Sequence, residues 1–295
     1  MDPEGIALNN LGALFIASEG DANNLIAPFV NQFSLTGRQS RELPIPAKFL
    51  ATEGGISGIR HNQAFESLSL TPDQRTLYTA TEGALIQDRL TPDGVNPSRI
   101  LHYDLTTGKP AKETLYFPDA FGDSSFGLVE LLALDNTGTL LSLERSFSLQ
   151  TGNQLRLFEV KTQAATNVAS IGGLIELDGL GAIAPVEKRL LLDFEELGIR
   201  LDNSEALAFG PTLPDGRQSL LVVSDNNFNP NHQITQFIAF ALDIEPVPQP
   251  PLARFVSAPA IPFAAGPKSG PGSYGAARLR FDADGALLAA PMPQL

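Results

Sequence analysis

Four segments of the chain repeat one pattern: a carboxylate, a short apolar strand, a polar turn, a second apolar strand and a second carboxylate. Glu4-Gly-Ile-Ala-Leu turns at Asn9-Asn-Leu-Gly and runs on to Glu19, and Glu66-Ser-Leu-Ser-Leu turns at Thr71-Pro-Asp-Gln-Arg and ends at Glu82. Glu130-Leu-Leu-Ala-Leu turns at Asp135-Asn-Thr-Gly and reaches Glu144, and Glu205-Ala-Leu-Ala-Phe turns at Leu213-Pro-Asp-Gly and reaches Asp225. The leading acids are spaced 62, 64 and 75 residues apart. A third strand pattern follows in every unit (Phe29 onward, Ile100 onward, Leu155 onward, Phe237 onward), then a weaker fourth such as Glu42-Leu-Pro-Ile-Pro or Thr114-Leu-Tyr-Phe-Pro. The only helical candidate is the turn-length Asp193-Phe-Glu-Glu-Leu. Four-stranded units at this period, bounded by Gly, Pro, Asn and Asp, predict an all-β chain: a β-propeller of four-stranded blades.

The units occupy residues 1–258. Residues 259–275 are rich in Gly and Pro and read as a linker; the Gly266-Pro-Lys-Ser-Gly within them lacks the spacing of a phosphate loop. Residues 276–295 form a last hairpin pattern turning at Asp282-Ala-Asp-Gly285, without flanking carboxylates. That tail is expected to complete an otherwise incomplete last blade, alone or with strands from residues 171–193.

In an antiparallel hairpin the residues facing each other have a constant sum of positions. By that rule Glu4 with Glu19, Glu66 with Glu82, Glu130 with Glu144, and Glu205 with Asp225 are each centred on their own predicted turn. Every hairpin is therefore expected to bring two carboxylates together at its open end, and stacking the blades to gather all eight on one face. So many like charges need cations, arginines or bound protons. An oxygen-only set without Cys or His suits a hard cation, Ca²⁺ above all. Expected ligands are Glu4, Glu19, Glu66, Glu82, Glu130, Glu205 and Asp225, with neutral oxygens from Asn62, Asn203 and Asn226. Glu144 is the expected bystander, held by Arg145 or another local cation. Arg60 and Arg145 flank the acids, and guanidinium forks suit phosphate as well as carboxylate. The bland alternative is that each acid only accepts hydrogen bonds from turn amides or pairs with Arg.

Composition removes other chemistries. Twenty Lys and Arg against 33 Asp and Glu leave a net charge of −13, which disfavours a nucleic-acid backbone or an anionic membrane surface as partner. No Cys is present, so there is no disulfide, thiolate metal site or Cys nucleophile. No apolar run approaches the ~18 residues of a membrane span, and the opening Met1-Asp-Pro-Glu carries no leader pattern. His61, His102 and His232 lack zinc-ligand spacing, and no G-x-S-x-G elbow exists. His102 reads as packing, whereas His61, just ahead of the second acidic pair, is a site candidate. The Asp225–Asn231 loop alternates oxygen side chains as a calcium loop does, but Pro230 and Gln236 break the EF-hand pattern.

Asp2-Pro-Glu-Gly-Ile-Ala, Ala17-Ser-Glu-Gly, Asn62-x-x-Phe-Glu-Ser-Leu, Glu144-Arg145, Asp202-Asn-Ser-Glu-Ala-Leu-Ala-Phe-Gly-Pro and Val223-Ser-Asp-Asn-Asn-Phe together resemble the "esterase-like activity of phytase" family, over residues 2 to about 242. Strands that precede Asp-Pro-Glu-Gly in that family have no counterpart here, the tail after 245 is unfamiliar, and Ser67 and Ala206 stand where Gly is commoner. The resemblance implies a β-propeller, exported by bacteria to the periplasm or beyond, with a phosphoesterase role attributed to its acids. The leading expectation is a calcium-dependent phosphoesterase, with Glu66, Glu205, Arg60, Arg145 and His61 as its catalytic set. A gluconolactonase-type metal-dependent lactonase, a non-enzymatic secreted ligand-binding propeller and a truncated relative without function are the alternatives. The expected partner is a small phosphoester or lactone, and the expected state a monomer.

Overall fold

The computed structural model describes residues 2–91, 95–119, 126–177 and 180–242, with the backbone of strands 276–281 and 287–291. It contains four sheets in chain order, each a propeller blade. The first blade is β1 (Pro3–Leu8), β2 (Ala13–Ser18), β3 (Phe29–Ser34) and β4 (Gln39–Leu43). The second is β5 (Phe65–Leu70), β6 (Thr76–Thr81), β7 (Ser98–Asp104) and β8 (Lys109–Tyr116). The third is β9 (Phe126–Ala133), β10 (Thr139–Ser148), β11 (Gly152–Lys161) and β12 (Glu187–Asp193). The fourth is β13 (Ser204–Thr212), β14 (Gln218–Ser224) and β15 (Phe237–Leu242), extended by β16 (Ala276–Phe281) and β17 (Leu287–Pro291). Every pairing is antiparallel except β15 with β16, which is parallel.

Helical content among the described residues is limited to 3₁₀ turns, one of them Phe194–Leu197, capped by the Asp193 carboxylate on Glu195 N. The tail was expected to complete a blade alone or with strands from residues 171–193, and the second route does not occur with β12. Instead β12 pairs with β11 and closes the third blade. No helix among the described residues is long and apolar enough to cross a membrane.

The first strands of the blades, β1, β5, β9 and β13, lie side by side around the axis. Alternation along each strand sends one set of apolar side chains to each blade face. Three blade-to-blade cores result. Phe15, Val30, Phe49, Phe65 and Leu77 pack the first blade on the second; Tyr78, Ile100, Leu131 and Val160 join the second to the third; Leu143, Leu157, Leu220, Ile238 and Phe240 join the third to the fourth. Gly5 lets β1 approach β5, because a Cβ there would stand 2.7 Å from Leu68 Cβ. Some apolar side chains of the end blades lie outside these cores among the described residues. Ile6 and Leu8 on the first blade are 62% and 39% exposed, and Phe237 on the fourth is 63% exposed.

A buried ionic knot ties down the segment that links β11 to β12. Arg99, fully buried, gives two hydrogen bonds to Asp88 (2.6 and 3.0 Å), one to Glu113 (2.9 Å) and one to the Ile171 carbonyl. Lys48 reaches the same Glu113 at 3.1 Å, and Leu174 N donates to Asp88.

Candidate functional site

The leading acids are placed by β-bulges. In the second blade Phe65 faces Thr81 and Ser67 faces Ala80, so Glu66 is the extra residue. In the fourth, Ser204 faces Ser224 and Ala206 faces Val223, which makes Glu205 the extra residue. The first blade slips between Pro3 and Ile6, around Glu4 and Gly5. A bulge bends its strand and re-aims a side chain out of the pleat. Here it turns three acids toward the end of the axis, where the trailing acids Glu19 and Glu82 also stand.

The third blade departs from this rule. Its bulge falls at Val129: Glu130 faces Leu143, and Leu128 faces Glu144. Glu130 and Glu144 are therefore a register step apart and do not meet. Glu130 is buried between inner strands and accepts from Leu131 N (2.8 Å), from Leu68 N on β5 (3.4 Å) and from Leu207 N on β13. Burial pushes its carboxyl up to about 8 against those backbone bonds. Glu130 was expected among the metal ligands, but its geometry is that of an internal pin. Glu144, fully buried, accepts from Lys188 Nζ (2.6 Å), Tyr116 Oη (2.5 Å) and Asp119 N (2.9 Å). Its cation is Lys188 and not Arg145.

The remaining six acids interact. Glu19 is hydrogen-bonded to the Glu66 side chain and to Ala64 N, and two carboxyl groups can share a hydrogen bond only when one holds a proton. Burial raises Glu66 well above the ordinary carboxyl range, and the charges of Glu82, Glu19, Glu4 and Glu205 add to it. Glu82 is pushed up to about 7 by burial, with Arg145 opposing. Glu4 rises to about 8 through desolvation and then the charges of Asp2, Glu205, Glu19 and Asp225. Arg145, on β10, is the cation within this set: it lies 2.8 Å from Glu205 and 3.6 Å from Glu82. Glu205 still titrates high because burial outweighs Arg145 and the Asn203 side-chain hydrogen bond.

One carboxylate oxygen each from Asp2, Glu4 and Glu19 lies within 4.8 Å of the others. Asp2 escaped the sequence reading, although it stands two residues ahead of Glu4 in the first motif. The asparagines divide. Asn203 is buried and supports Glu205, Asn62 holds a left-handed backbone (φ 54°), and Asn226 accepts from Phe228 N to shape its own loop. Asp225 is exposed, accepts from Asn227 N, and lies close enough to Glu4 to raise it. Arg60 makes no ion pair among the described residues, and its guanidinium titrates low through burial and the neighbouring Arg89 charge, with the Glu82 charge opposing. His61, 3.5 Å from Asp21, faces the same recess of about 430 Å³ as Arg60 and reaches Glu19 electrostatically. His102 is buried in edge-on contact with Tyr78, and burial drives its imidazole down to about 3.

A family model described as "Phytase-like: Esterase-like activity of phytase" matches residues 1–228. An "Uncharacterized secreted protein" of Arthroderma benhamiae is 27% identical over 139 residues, which cover 37% of this chain and 25% of that protein. The chain thus spans about a quarter of the length of the curated relative it matches.

Proposed function

Because the chain belongs to the phytase-like family, esterase-like activity of phytase, a hydrolase-type propeller, we propose that it is a calcium-dependent phosphoesterase working at the acidic end of the axis. The observation that carries this reading is the crowding of Glu4, Glu19, Glu66, Glu82 and Glu205, all titrating high, with Arg145 as the guanidinium ion-paired to them among the described residues. A divalent ion would relieve that repulsion. The Asp2–Glu4–Glu19 oxygens fit a hard cation and contain no sulfur or imidazole donor. When bound, Ca²⁺ would polarise a phosphoryl oxygen and offset the charge of the ester.

The chain's own residues divide the remaining work. Glu66, half-buried and bonded to Glu19, has its carboxyl raised well above the ordinary range by desolvation and the neighbouring acids, which suits it to give a proton to a leaving oxygen. Glu205, with Arg145 against one oxygen, is the carboxylate that orients an attacking water. Arg145 is committed to two glutamates and positions them, which leaves Arg60, without an ion pair among the described residues although within electrostatic reach of Glu82, to face the anion with His61 at the rim. We also infer export from the cell, supported by the secreted description of the fungal relative.

Two measurements test this reading. Calcium should raise the melting temperature in proportion to occupancy, and phosphate release from a phosphoester panel should stop with a chelator. No calcium binding at millimolar concentration overturns the metal centre. Lactone opening without phosphate release replaces phosphoester hydrolysis with lactonase chemistry.

A further inference from the structure

The longest strands of the described chain are β10 and β11, ten residues each, and their hairpin reaches beyond the carboxylate centre. Their register is regular, with Phe147 facing Asn153 and Arg145 facing Leu155. Residues two apart on a strand share a face, so Arg145, Phe147 and Asn153 line one wall in a row leading away from Glu82 and Glu205. Residues 199–202, with Asn229, His232 and Gln233, form the other walls of a cleft of about 580 Å³, in the size range of small-molecule sites (~300–1,000 Å³). Phe147, Asn153 and Gln233 also line a recess of about 270 Å³ that ends on Glu82, Arg145 and Asn203. The two spaces therefore share a wall, which places the cleft beside the acidic centre.

The chemistry of the walls is specific. The side chains of Asn153, Asn229, His232 and Gln233 make no hydrogen bond to the protein among the described residues. An amide offers two donors and an acceptor, so this cleft presents many unspent donors and acceptors at short range. Charges are mixed, with Glu195 and Asp202 against Arg200, so the lining favours no strongly charged ligand. The Phe147 ring, 45% exposed, adds one flat apolar platform.

We propose that this cleft binds a neutral, hydroxyl-rich, sugar-like skeleton and presents it to the carboxylate centre. Hydroxyl groups both donate and accept, which matches free amides, and the C–H face of a pyranose ring matches Phe147. Binding in the cleft is independent of the reaction; only the presentation of an ester rests on the phosphoesterase reading.

The full chain is titrated by nuclear magnetic resonance with maltotriose, methyl glucoside, methyl galactoside, methyl mannoside and ethyl phosphate, with calcium present. At least one of the sugars should bind in the millimolar range and shift residues of 147–153 and 229–233. Asn153→Ala with Gln233→Ala should weaken that sugar about tenfold, as expected for losing one or two hydrogen bonds, and leave calcium binding and melting temperature unchanged. Phe147→Ala, at an exposed ring, should weaken it without touching the amides. If no sugar binds at about 20 mM, a concentration that detects even millimolar affinity, the proposal is overturned, even where ethyl phosphate is hydrolysed. Sugar binding that survives both variants also overturns it. Sugar binding lost in both variants, with no phosphoester hydrolysed, upholds the cleft and removes the phosphoesterase.

Discussion

Arg145 of the third blade lies 2.8 Å from Glu205 of the fourth, and the same guanidinium reaches Glu82 of the second at 3.6 Å. One side chain thus fixes the spacing of three blades at the site. Replacing it by Gln should raise Glu82 further above its value of about 7 and cost about 1–2 kcal/mol at pH 8, an intermediate figure for a partly exposed pair. The loss should shrink near pH 5, below the value of about 7 at which Glu82 takes up its proton, and urea melts at the two pH values measure it.

Stability without calcium should fall as pH rises. Glu4 and Glu130 titrate near 8 and Glu82 near 7 in the folded chain, all above the ordinary 4.5. The folded state therefore holds more protons than the unfolded one between those values, and that stability is fully present below 4.5 and gone above about 8. Glu130→Gln keeps the acceptor for Leu131 N and removes the ionisation. It should match the parent at pH 5 and exceed it at pH 9 by on the order of 1–4 kcal/mol, read from urea melts in chelator.

Gly5→Ala tests the contact between the first two blades. The added Cβ meets Leu68 Cβ at 2.7 Å and Leu68 N at 2.9 Å, so β1 must move. A loss of about 1–3 kcal/mol is expected, with weaker calcium binding because Glu4 is the adjacent residue. Gly172→Ala, with open space around it, is the control and should melt like the parent.

Arg99→Met leaves Asp88 and Glu113 buried without their guanidinium. Breaking such a network from one side costs about 3–5 kcal/mol. Chemical denaturation should show that loss, with calcium affinity of the surviving folded protein unchanged.

Glu144→Gln separates bystander from ligand. It deprives Lys188 of its buried carboxylate and should cost about 2–4 kcal/mol with calcium affinity intact. Glu66→Gln should do the reverse, weakening calcium binding and activity with a smaller effect on melting.

The blades were legible because strand, turn and strand recur with the same acids, and because Phe29, Ile100, Leu155 and Phe237 each begin or enter a third strand that does form. Mutual approach of the acids was legible only to one register step. Symmetric pairing assumes a regular ladder, and a bulge shifts it by a residue: at Glu66 and Glu205 the shift turns the acid toward the site, and at Val129 it turns Glu130 inward. Nothing in Val129-Glu130 distinguishes it locally from Phe65-Glu66. Lys188 as the partner of Glu144 was hidden because it arrives from β12, 44 residues away, whereas Arg145 is adjacent in sequence but points to the other side of the strand. The Phe147–Asn153 wall carries no motif, since free amides gain meaning only once a cleft places them together.

Among the described residues three packed cores join the four blades in series, and the first and fourth blades meet across a seam that none of the three spans. Glu4 stands on one side of that seam and Glu205 and Asp225 on the other, near enough that each raises Glu4. Mechanically the assembly is a row of panels bent round on itself, whose two ends face each other with negative charge. A cation held by the acids of the first blade, as proposed, would offset the charge that these ends turn toward each other. Occupation of the proposed calcium site and stability of the fold would then rise together, so that the melting temperature would report how full the reactive mouth is.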